Sequence, residues 1–205
     1  SLIAISLLSA ASVVHASEGF YVGVNVGQAN YDINANEFTS AIGDIATVVS
    51  SSVDDSDTSL SFTLGYQLNP NISFEGGFIN LGEFGVDTTV YENLKFIDAN
   101  LAVETDGLFF DVKGQVPINQ VFGIYGKIGL LKWESEITAT ASEANLGSYS
   151  TSDSIDDDDV FYGIGGSILI NKNENNSVAL NIDYTLYELD GLDVDVLSVG
   201  VQIYF

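Results

Sequence analysis

The sequence contains no cysteine and no arginine, and its single histidine is His15. Without cysteine there is no disulfide, no thiolate zinc site and no cysteine nucleophile. The five basic residues are all lysines and stand against 29 acidic residues, which gives a net charge of −24. A chain of this charge repels phosphate backbones, so nucleic acid is excluded as a partner.

Residues 1–16 (SLIAISLLSAASVVHA) form an uncharged apolar run that ends in small residues. Such an ending is typical of a signal-peptidase site, and a membrane-spanning helix needs about 20 apolar residues. We therefore predict that 1–16 is a signal peptide, present without a basic start and removed after Ala16, and that 17–205 forms one domain. The mature chain then lacks histidine and cysteine, the commonest general base and the best nucleophile, so we expect no enzymatic activity.

Aromatic residues are plentiful in spite of the charge. The chain has 10 Tyr, 12 Phe and 1 Trp, and its hydrophobic content is 46%. Disordered chains of high net charge have few aromatics, so we expect an ordered structure that keeps its acidic and apolar residues apart.

Apolar and polar residues alternate strictly in most of the mature chain. In the first such segment, Phe20, Val22 and Val24 alternate with Tyr21 and Gly23. A period of two is typical of a strand with one apolar face. We predict eight strands, over 19–31, 58–69, 71–82, 104–116, 120–134, 160–171, 176–187 and 194–205.

The connections between these strands alternate in length. Tight-turn compositions surround Pro70, Pro117 and 172–175, whereas the other connections cover 32–57, 83–103, 135–159 and 188–193. Short turns at one end and long loops at the other are typical of bacterial outer-membrane barrels.

Alternation alone also fits a soluble, lipocalin-like ligand-binding barrel with its apolar face inside. The polar face, however, consists mostly of Gly, Ser, Thr, Asn and Gln, which suit the crowded lumen of an eight-stranded barrel better than a wet exterior. Aromatic residues lie near strand ends on the apolar face, as in membrane-interface girdles: Phe20, Tyr66, Phe74, Phe122 and Phe205. We predict an all-β, eight-stranded, antiparallel, up-and-down transmembrane β-barrel.

Short motifs occur in a consistent order along the chain. They are GFYVG at 19–23, GYQLNPN at 65–71 with FEGG at 74–77, YGKIG at 125–129, YGIGG at 162–166 and QIYF at 202–205. With these motifs, nearly the whole mature chain resembles the OmpA-like and OmpX-like outer-membrane β-barrels of Gram-negative bacteria.

The resemblance implies an outer-membrane location, contact with membrane lipid and lipopolysaccharide, and a structural or surface-interaction role. Enzymes among such barrels rely on histidine. In this family a terminal Phe after alternating apolar residues is read by the outer-membrane insertion machinery. The resemblance therefore implies that Phe205 is the assembly signal.

Charged residues on the predicted lumen face are few. Glu75 and Lys113 are predicted at similar heights near the periplasmic end, and Asp111 diagonal to Lys127. The full set is Glu75, Asp111, Lys113, Lys127 and Asp183. It suits either a plug of ion pairs or a polar gate across a narrow channel for small or apolar solutes. We favour the plug, because eight strands leave little free lumen.

Acidic residues concentrate in the predicted loops, which hold 20 of the 29. Their densest run is Asp156, Asp157, Asp158 and Asp159. Carboxylates suit Ca²⁺ and Mg²⁺, but the glycine-hinged calcium-loop signature is absent. We expect no bound cofactor. At most, these four residues bind divalent ions loosely and bridge to lipopolysaccharide, and the alternative is a merely solvated surface. The surface ligand cannot be read from the sequence.

Overall fold

The computed structural model describes residues 18–32, 47–92, 95–143, 147–172, 176–189 and 192–205. They form nine β-strands: β1 (Gly19–Tyr31), β2 (Thr47–Asp54), β3 (Ser56–Asn69), β4 (Ile72–Glu92), β5 (Lys95–Pro117), β6 (Phe122–Glu143), β7 (Gly147–Lys172), β8 (Ser177–Leu189) and β9 (Leu192–Tyr204). This part of the chain contains no helix long and apolar enough to cross a membrane. The signal peptide predicted at 1–16 lies outside the described residues and stays a prediction.

Eight antiparallel strands close into a ring. The order is β1, β3, β4, β5, β6, β7, β8 and β9, and β9 pairs back with β1. β2 lies on the same side of β4 as β3 does, farther along that strand. It pairs with the distal part of β4, from Asp54 opposite Gly85 to Thr47 opposite Tyr91. The prediction of an eight-stranded, up-and-down barrel is confirmed.

The outer face of the ring is an apolar band. Phe20, Leu64, Leu108, Ile128 and Ile164 point outward and are 55% to 66% exposed. A continuous apolar surface of this extent is unfavourable in water and typical of strands that face lipid.

Aromatic rings pack together on this band. Phe20 contacts Tyr66 edge-on with ring centres 5.0 Å apart, and Phe74 stacks on Phe110 at 6.4 Å. The aromatic residues predicted at strand ends thus lie on the outward side of the ring. This side is the one that meets the membrane interface in outer-membrane barrels.

Strand lengths differ between the two sides of the barrel. β4, β5, β6 and β7 have 21, 23, 22 and 26 residues, whereas β8, β9 and β1 have 13 each. The excess stands beyond the ring as a five-stranded curved sheet with β2 at one edge and β7 at the other. We call this part the projecting sheet: residues 47–54, 83–92, 95–106, 134–143 and 147–159.

The prediction of long loops at 83–103 and 135–159 is therefore wrong. These residues form paired strands, with Val86 opposite Leu101 and Ile137 opposite Asp153. Within 32–57, residues 47–54 are strand β2, and 33–46 lie outside the described residues. Pairing satisfies the backbone there even though small and hydroxyl side chains replace the clear apolar alternation.

Candidate functional site

Two layers of inward side chains fill the barrel. The ion layer lies toward the short turns and consists of Tyr21, Glu75, Asp111, Lys113, Tyr125, Lys127, Asn181 and Asp183. The apolar layer lies toward the projecting sheet and consists of Ala29, Tyr31, Ile79, Leu81, Leu131, Trp133, Phe161, Tyr187, Leu189, Val194 and Val196. All five charged residues predicted for the lumen lie in the ion layer.

The ion layer contains a row of three residues on neighbouring strands. Tyr21 of β1 lies opposite Gly65 of β3, and Gly65 lies opposite Glu75 of β4. Because Gly65 has no side chain, the Tyr21 ring lies across it, and a Cβ at this position would overlap the ring. The ring spans the glycine, and the Tyr21 hydroxyl donates a hydrogen bond to Glu75 Oε1 at 2.5 Å.

The same arrangement recurs on the opposite side of the ring. Tyr125 of β6 lies opposite Gly165 of β7, and Gly165 lies opposite Asp183 of β8. A Cβ on Gly165 would lie 2.5 Å from the Tyr125 ring, and the Tyr125 hydroxyl donates to Asp183 Oδ1 at 2.8 Å. β6 is four strands from β1 in a ring of eight, so the two rows face each other across the lumen.

The two lysines bind the carboxylates of these rows. Lys113 is 2% exposed and forms an ion pair with Glu75. Its Nζ lies 4.8 Å from the Tyr21 ring centre and 5.2 Å from the Tyr125 ring centre, so it contacts both rows through cation–π interactions. Lys127 Nζ lies 3.6 Å from Asp183 Oδ1.

The remaining carboxylate of the ion layer is Asp111. It lies directly opposite Glu75 and is 1% exposed. Neither of its oxygens has a hydrogen-bond partner among the described residues. Lys127 lies diagonal to Asp111 as predicted, because Asp111 lies opposite Gly129, but its ion pair is with Asp183. The layer thus holds three carboxylates against two ammonium groups.

The apolar layer closes the other half of the lumen. Leu81, Leu131, Phe161 and Val194 are at most 1% exposed, and Phe161 packs against the Tyr187 ring with centres 5.2 Å apart. The expectation of a mostly polar lumen face is wrong in this half. Here the strands carry apolar residues on both faces, as at 130–131 and 160–162, which a period of two assigns to one face only.

Between the layers remains a cavity of about 20 Å³. Its lining includes Asn25, Glu75, Lys127, Phe161 and Asp183. A single water needs about 10–15 Å³, so this space suits one water-sized molecule rather than a passing solute. Carboxylates, ammonium groups and rings bind one another across the lumen and thereby fill it.

Comparison with known proteins decides the family. The model of the outer membrane protein beta-barrel domain matches residues 1–205. The chain belongs to this family. It is therefore an outer-membrane β-barrel, and the outer-membrane location predicted from the sequence is confirmed. No curated protein matches the chain.

Several solved structures are similar to this outer-membrane β-barrel. The attachment invasion locus protein Ail of Yersinia pestis is 17% identical, with 92% of this chain and all 100% of that chain covered and a TM-score of 0.49. Neisserial surface protein A is 14% identical over 91% and 97% of the two chains, with a TM-score of 0.49. OprG from Pseudomonas aeruginosa is 14% identical over 90% and 96%, with a TM-score of 0.44. At these identities the likeness concerns the fold alone.

The four predicted cation-binding aspartates of this outer-membrane β-barrel lie within β7, so their predicted position outside the strands is wrong. Asp157 and Asp159 share the inward side of β7 with Phe161, whereas Asp156 and Asp158 point outward. Asp159 Oδ2 accepts a hydrogen bond from Trp133 Nε1 at 2.9 Å. Alternation therefore separates neighbouring carboxylates, because successive side chains of a strand point to opposite faces. In the part that the structure describes, no three such residues are placed to hold a metal ion. Loose divalent binding stays a prediction.

Phe205, the predicted assembly signal, directly follows β9. Its side chain is 62% exposed on the apolar band, and its N–H donates to the carbonyl oxygen of Phe20 at 3.0 Å. This hydrogen bond joins Phe205 to the first strand at the ring closure. The assembly role of Phe205 stays a prediction.

Among the residues of the ion layer, Tyr21, Tyr125 and Asn181 were missed as candidates in the sequence. Asn181 donates one hydrogen bond to Asn25 Oδ1 at 2.6 Å and another to Asp183. Each of the three stood on the predicted polar face, but only the cross-strand register shows which tyrosine lies opposite which glycine.

Proposed function

We propose that this outer-membrane β-barrel is a non-catalytic surface protein whose filled barrel anchors the projecting sheet outside the cell. One observation carries the proposal: the lumen is filled by two layers of side chains, while β4 to β7 continue well beyond the ring. The long strands therefore build the projecting sheet, and the lumen that the ring encloses is filled rather than open.

The reach of the sheet supports an external role. β7 continues from Phe161, its last residue paired with β8, to Gly147. At about 3.4 Å per residue this continuation is about 45 Å of strand, more than the thickness of the apolar band of a membrane barrel. A structure of this length reaches beyond the lipid headgroups.

The inventory of the lumen supports the absence of catalysis. Lys113 forms an ion pair with Glu75 and Lys127 one with Asp183, so Asp111 is the one carboxylate of the ion layer outside these pairs. The described residues include no histidine and no cysteine, so a general base or nucleophile of the usual kinds is lacking. What the lumen chemistry can do is hold eight strands in one register.

Conductance in planar bilayers tests the filled lumen. We expect no current steps from the purified protein. We expect steps from a variant in which Tyr21 and Tyr125 of the ion layer and Trp133 and Phe161 of the apolar layer are all replaced by Ala, because both layers then open. A conductance of the native protein as large as that of this opened variant would contradict the proposal and favour the narrow channel.

A trimmed variant tests the role of the sheet. Residues 86–101 and 137–153 are each replaced by an Asn-Gly turn, which joins the strands at Gly85 opposite Ala102 and at Glu136 opposite Ser154. We expect the trimmed barrel to fold and insert but to lose the adhesion of expressing cells to surfaces or to other cells. Adhesion equal to that of the native protein would contradict a surface-interaction role of the sheet.

A further inference from the structure

The ion layer is one positive charge short. Its three carboxylates are Glu75, Asp111 and Asp183, and its two ammonium groups are Lys113 and Lys127. All of them lie inside the ring, whose outward side chains form the apolar band. An unbalanced charge at such a place is costly, because it is withdrawn from water without gaining a partner.

The rest of the chain does not supply the missing cation. The sequence has no arginine, and its one histidine, His15, precedes the described residues. Of the other lysines, Lys95 begins β5 at the far end of the projecting sheet, and Lys172 is exposed near a short turn. Lys132 points away from the lumen, since both of its neighbours in the sequence are buried in the apolar layer. The balancing charge is therefore a bound proton or a small ion.

Asp111 is the carboxylate that lacks hydrogen-bond donors. Glu75 accepts hydrogen bonds from a tyrosine hydroxyl and a lysine, and Asp183 from a tyrosine hydroxyl and an asparagine. Neither oxygen of Asp111 has a partner in the part of the chain that the structure describes. Hydrogen bonds donated to a carboxylate favour its ionised form. Among the three acids, Asp111 is thus the one that takes up a proton at the least cost.

The two strands beside Asp111 also disfavour its negative charge. On one side Glu75 of β4 lies directly opposite, and like charges in this position repel each other. On the other side Asp111 lies opposite Gly129 of β6. A Cβ built on Gly129 would lie 2.6 Å from the Asp111 Cβ and 2.7 Å from the Phe161 ring of β7. An aromatic ring therefore stands where water would otherwise solvate the carboxylate.

Besides Glu75, three ionisable side chains face Asp111: Lys113 from its own strand, Lys127 from β6 and Tyr187 from β8. The two lysines form their ion pairs with the other two carboxylates. An ionised Asp111 would compete for these lysines, whereas a neutral Asp111 leaves both ion pairs as they are.

We propose that Asp111 binds a proton in the folded barrel and donates a hydrogen bond to Glu75. The two carboxyl groups are close enough to form this bond. A single proton between them replaces a repulsion by an attraction. The ion layer then holds two negative and two positive charges. The inference concerns the lumen alone and is independent of the surface role proposed above.

Infrared spectroscopy tests for the proton directly. In phosphatidylcholine vesicles at pH 7, exposed acids are ionised. We expect the native barrel to show the C=O stretching band of a protonated carboxyl group. The band should be lost in Asp111→Asn and kept in Glu104→Gln, which removes an exposed acid from the same strand. A native barrel without the band would overturn the proposal.

Isotope labelling gives the same test without a variant. When the side-chain carboxyl carbons of all aspartates carry ¹³C, we expect the carboxyl band of the native barrel to shift to lower frequency. A band that does not shift would belong to a glutamate and would overturn the assignment to Asp111.

Urea unfolding at several pH values tests the consequence for stability. An aspartate in the unfolded chain releases its proton at about pH 4. The folded barrel keeps the proton on Asp111, so the folded state binds one proton more and a rise in pH favours unfolding. Between pH 5.5 and 7 the unfolding constant of the native barrel should increase about tenfold per pH unit, and that of Asp111→Asn by less than about twofold. An equal increase in both proteins would overturn the proposal.

A small cation in place of the proton is the competing outcome. The cavity between the layers measures about 20 Å³, which suits Na⁺ but excludes choline. At pH 7 and constant ionic strength, exchange of NaCl for choline chloride should leave the unfolding constant of the native barrel unchanged. A loss of stability in choline chloride would overturn the proposal, because a sodium ion would then balance the ion layer.

Discussion

The two halves of the lumen are filled by different kinds of side-chain contact. In the ion layer, contacts are directional: Tyr21 donates to Glu75, and Lys113 binds that same carboxylate. In the apolar layer, Phe161 and Leu131 fill space without directed bonds. The difference teaches that the inner face of a small membrane barrel has to be filled, and that its polarity is free to vary along the axis.

The largest single loss of stability is expected in the ion layer. Lys113→Ala leaves Glu75 buried without its cation, and breaking a buried pair in this way costs about 3–5 kcal/mol. Urea unfolding of the barrel refolded in lipid vesicles measures the change. Lys172→Ala, an exposed lysine near a short turn, is the control and should stay within about 0.5 kcal/mol. Equal midpoints for the two variants would show that the ion layer does not hold the barrel.

The apolar half should respond almost as strongly. Phe161→Ala removes a fully buried ring, and such truncations cost about 3–5 kcal/mol; we expect the lower end, because the neighbouring Tyr187 can relax into the space. Val160→Ala on the lipid side of the same strand should cost less than half as much by the same unfolding measurement. If the lipid-side truncation proves the costlier, the apolar layer contributes little to stability.

A smaller effect on stability is expected from the steric fit at Gly65, which is tested here without changing any charge. Gly65→Ala places a Cβ against the Tyr21 ring, and overpacking of this kind costs about 1–3 kcal/mol. Gly114→Ala is the matched control, since nothing lies within 4 Å of a Cβ built there. Both variants are compared by urea midpoint. When both glycine variants are made in a Tyr21→Ala background, Gly65→Ala should cost no more than Gly114→Ala relative to that background; a remaining difference would contradict the role of the ring.

The smallest expected effect is that of salt on the buried pair. Screening acts mainly on exposed charges, so the penalty of Lys113→Ala should change by less than about 0.5 kcal/mol between 0.05 and 0.5 M NaCl. Glu104 serves as the exposed comparison, because it lies opposite both Glu83 and Glu136 on the outer face. Glu104→Gln should stabilise slightly at low salt and hardly at all at high salt. A salt-sensitive penalty for Lys113→Ala would mean that water reaches the ion layer.

The period of two was enough to predict the ring and the side of each strand that faces lipid. In the half of the barrel near the short turns, side chains that face lipid are apolar and side chains that face the lumen are polar, so the two faces alternate clearly. The period was not enough for the apolar layer, since Leu130 and Leu131 are both apolar and point to opposite faces. The register shift between Asn80 and Gly82 adds to this, because a bulge changes which residues of β4 point inward beyond it.

The site was predictable in its charged residues but not in its pairing. Glu75 and Lys113 stand out as ionisable groups on a face of small residues. Lys127 binds Asp183 rather than Asp111. This choice depends on the stagger of the strands around the ring, and the stagger cannot be read from the sequence of any one strand. The projecting sheet was missed for a different reason: its hydroxyl and alanine residues pair through the backbone and leave little apolar signal.

The filled lumen has a consequence for the cell that carries it. Under the proposed function, each copy occupies membrane area but adds no leak, so the number of copies at the surface is not limited by the loss of ions or nutrients through them. Expression of such a protein can follow the demand for external contacts, independently of the permeability barrier that the outer membrane maintains.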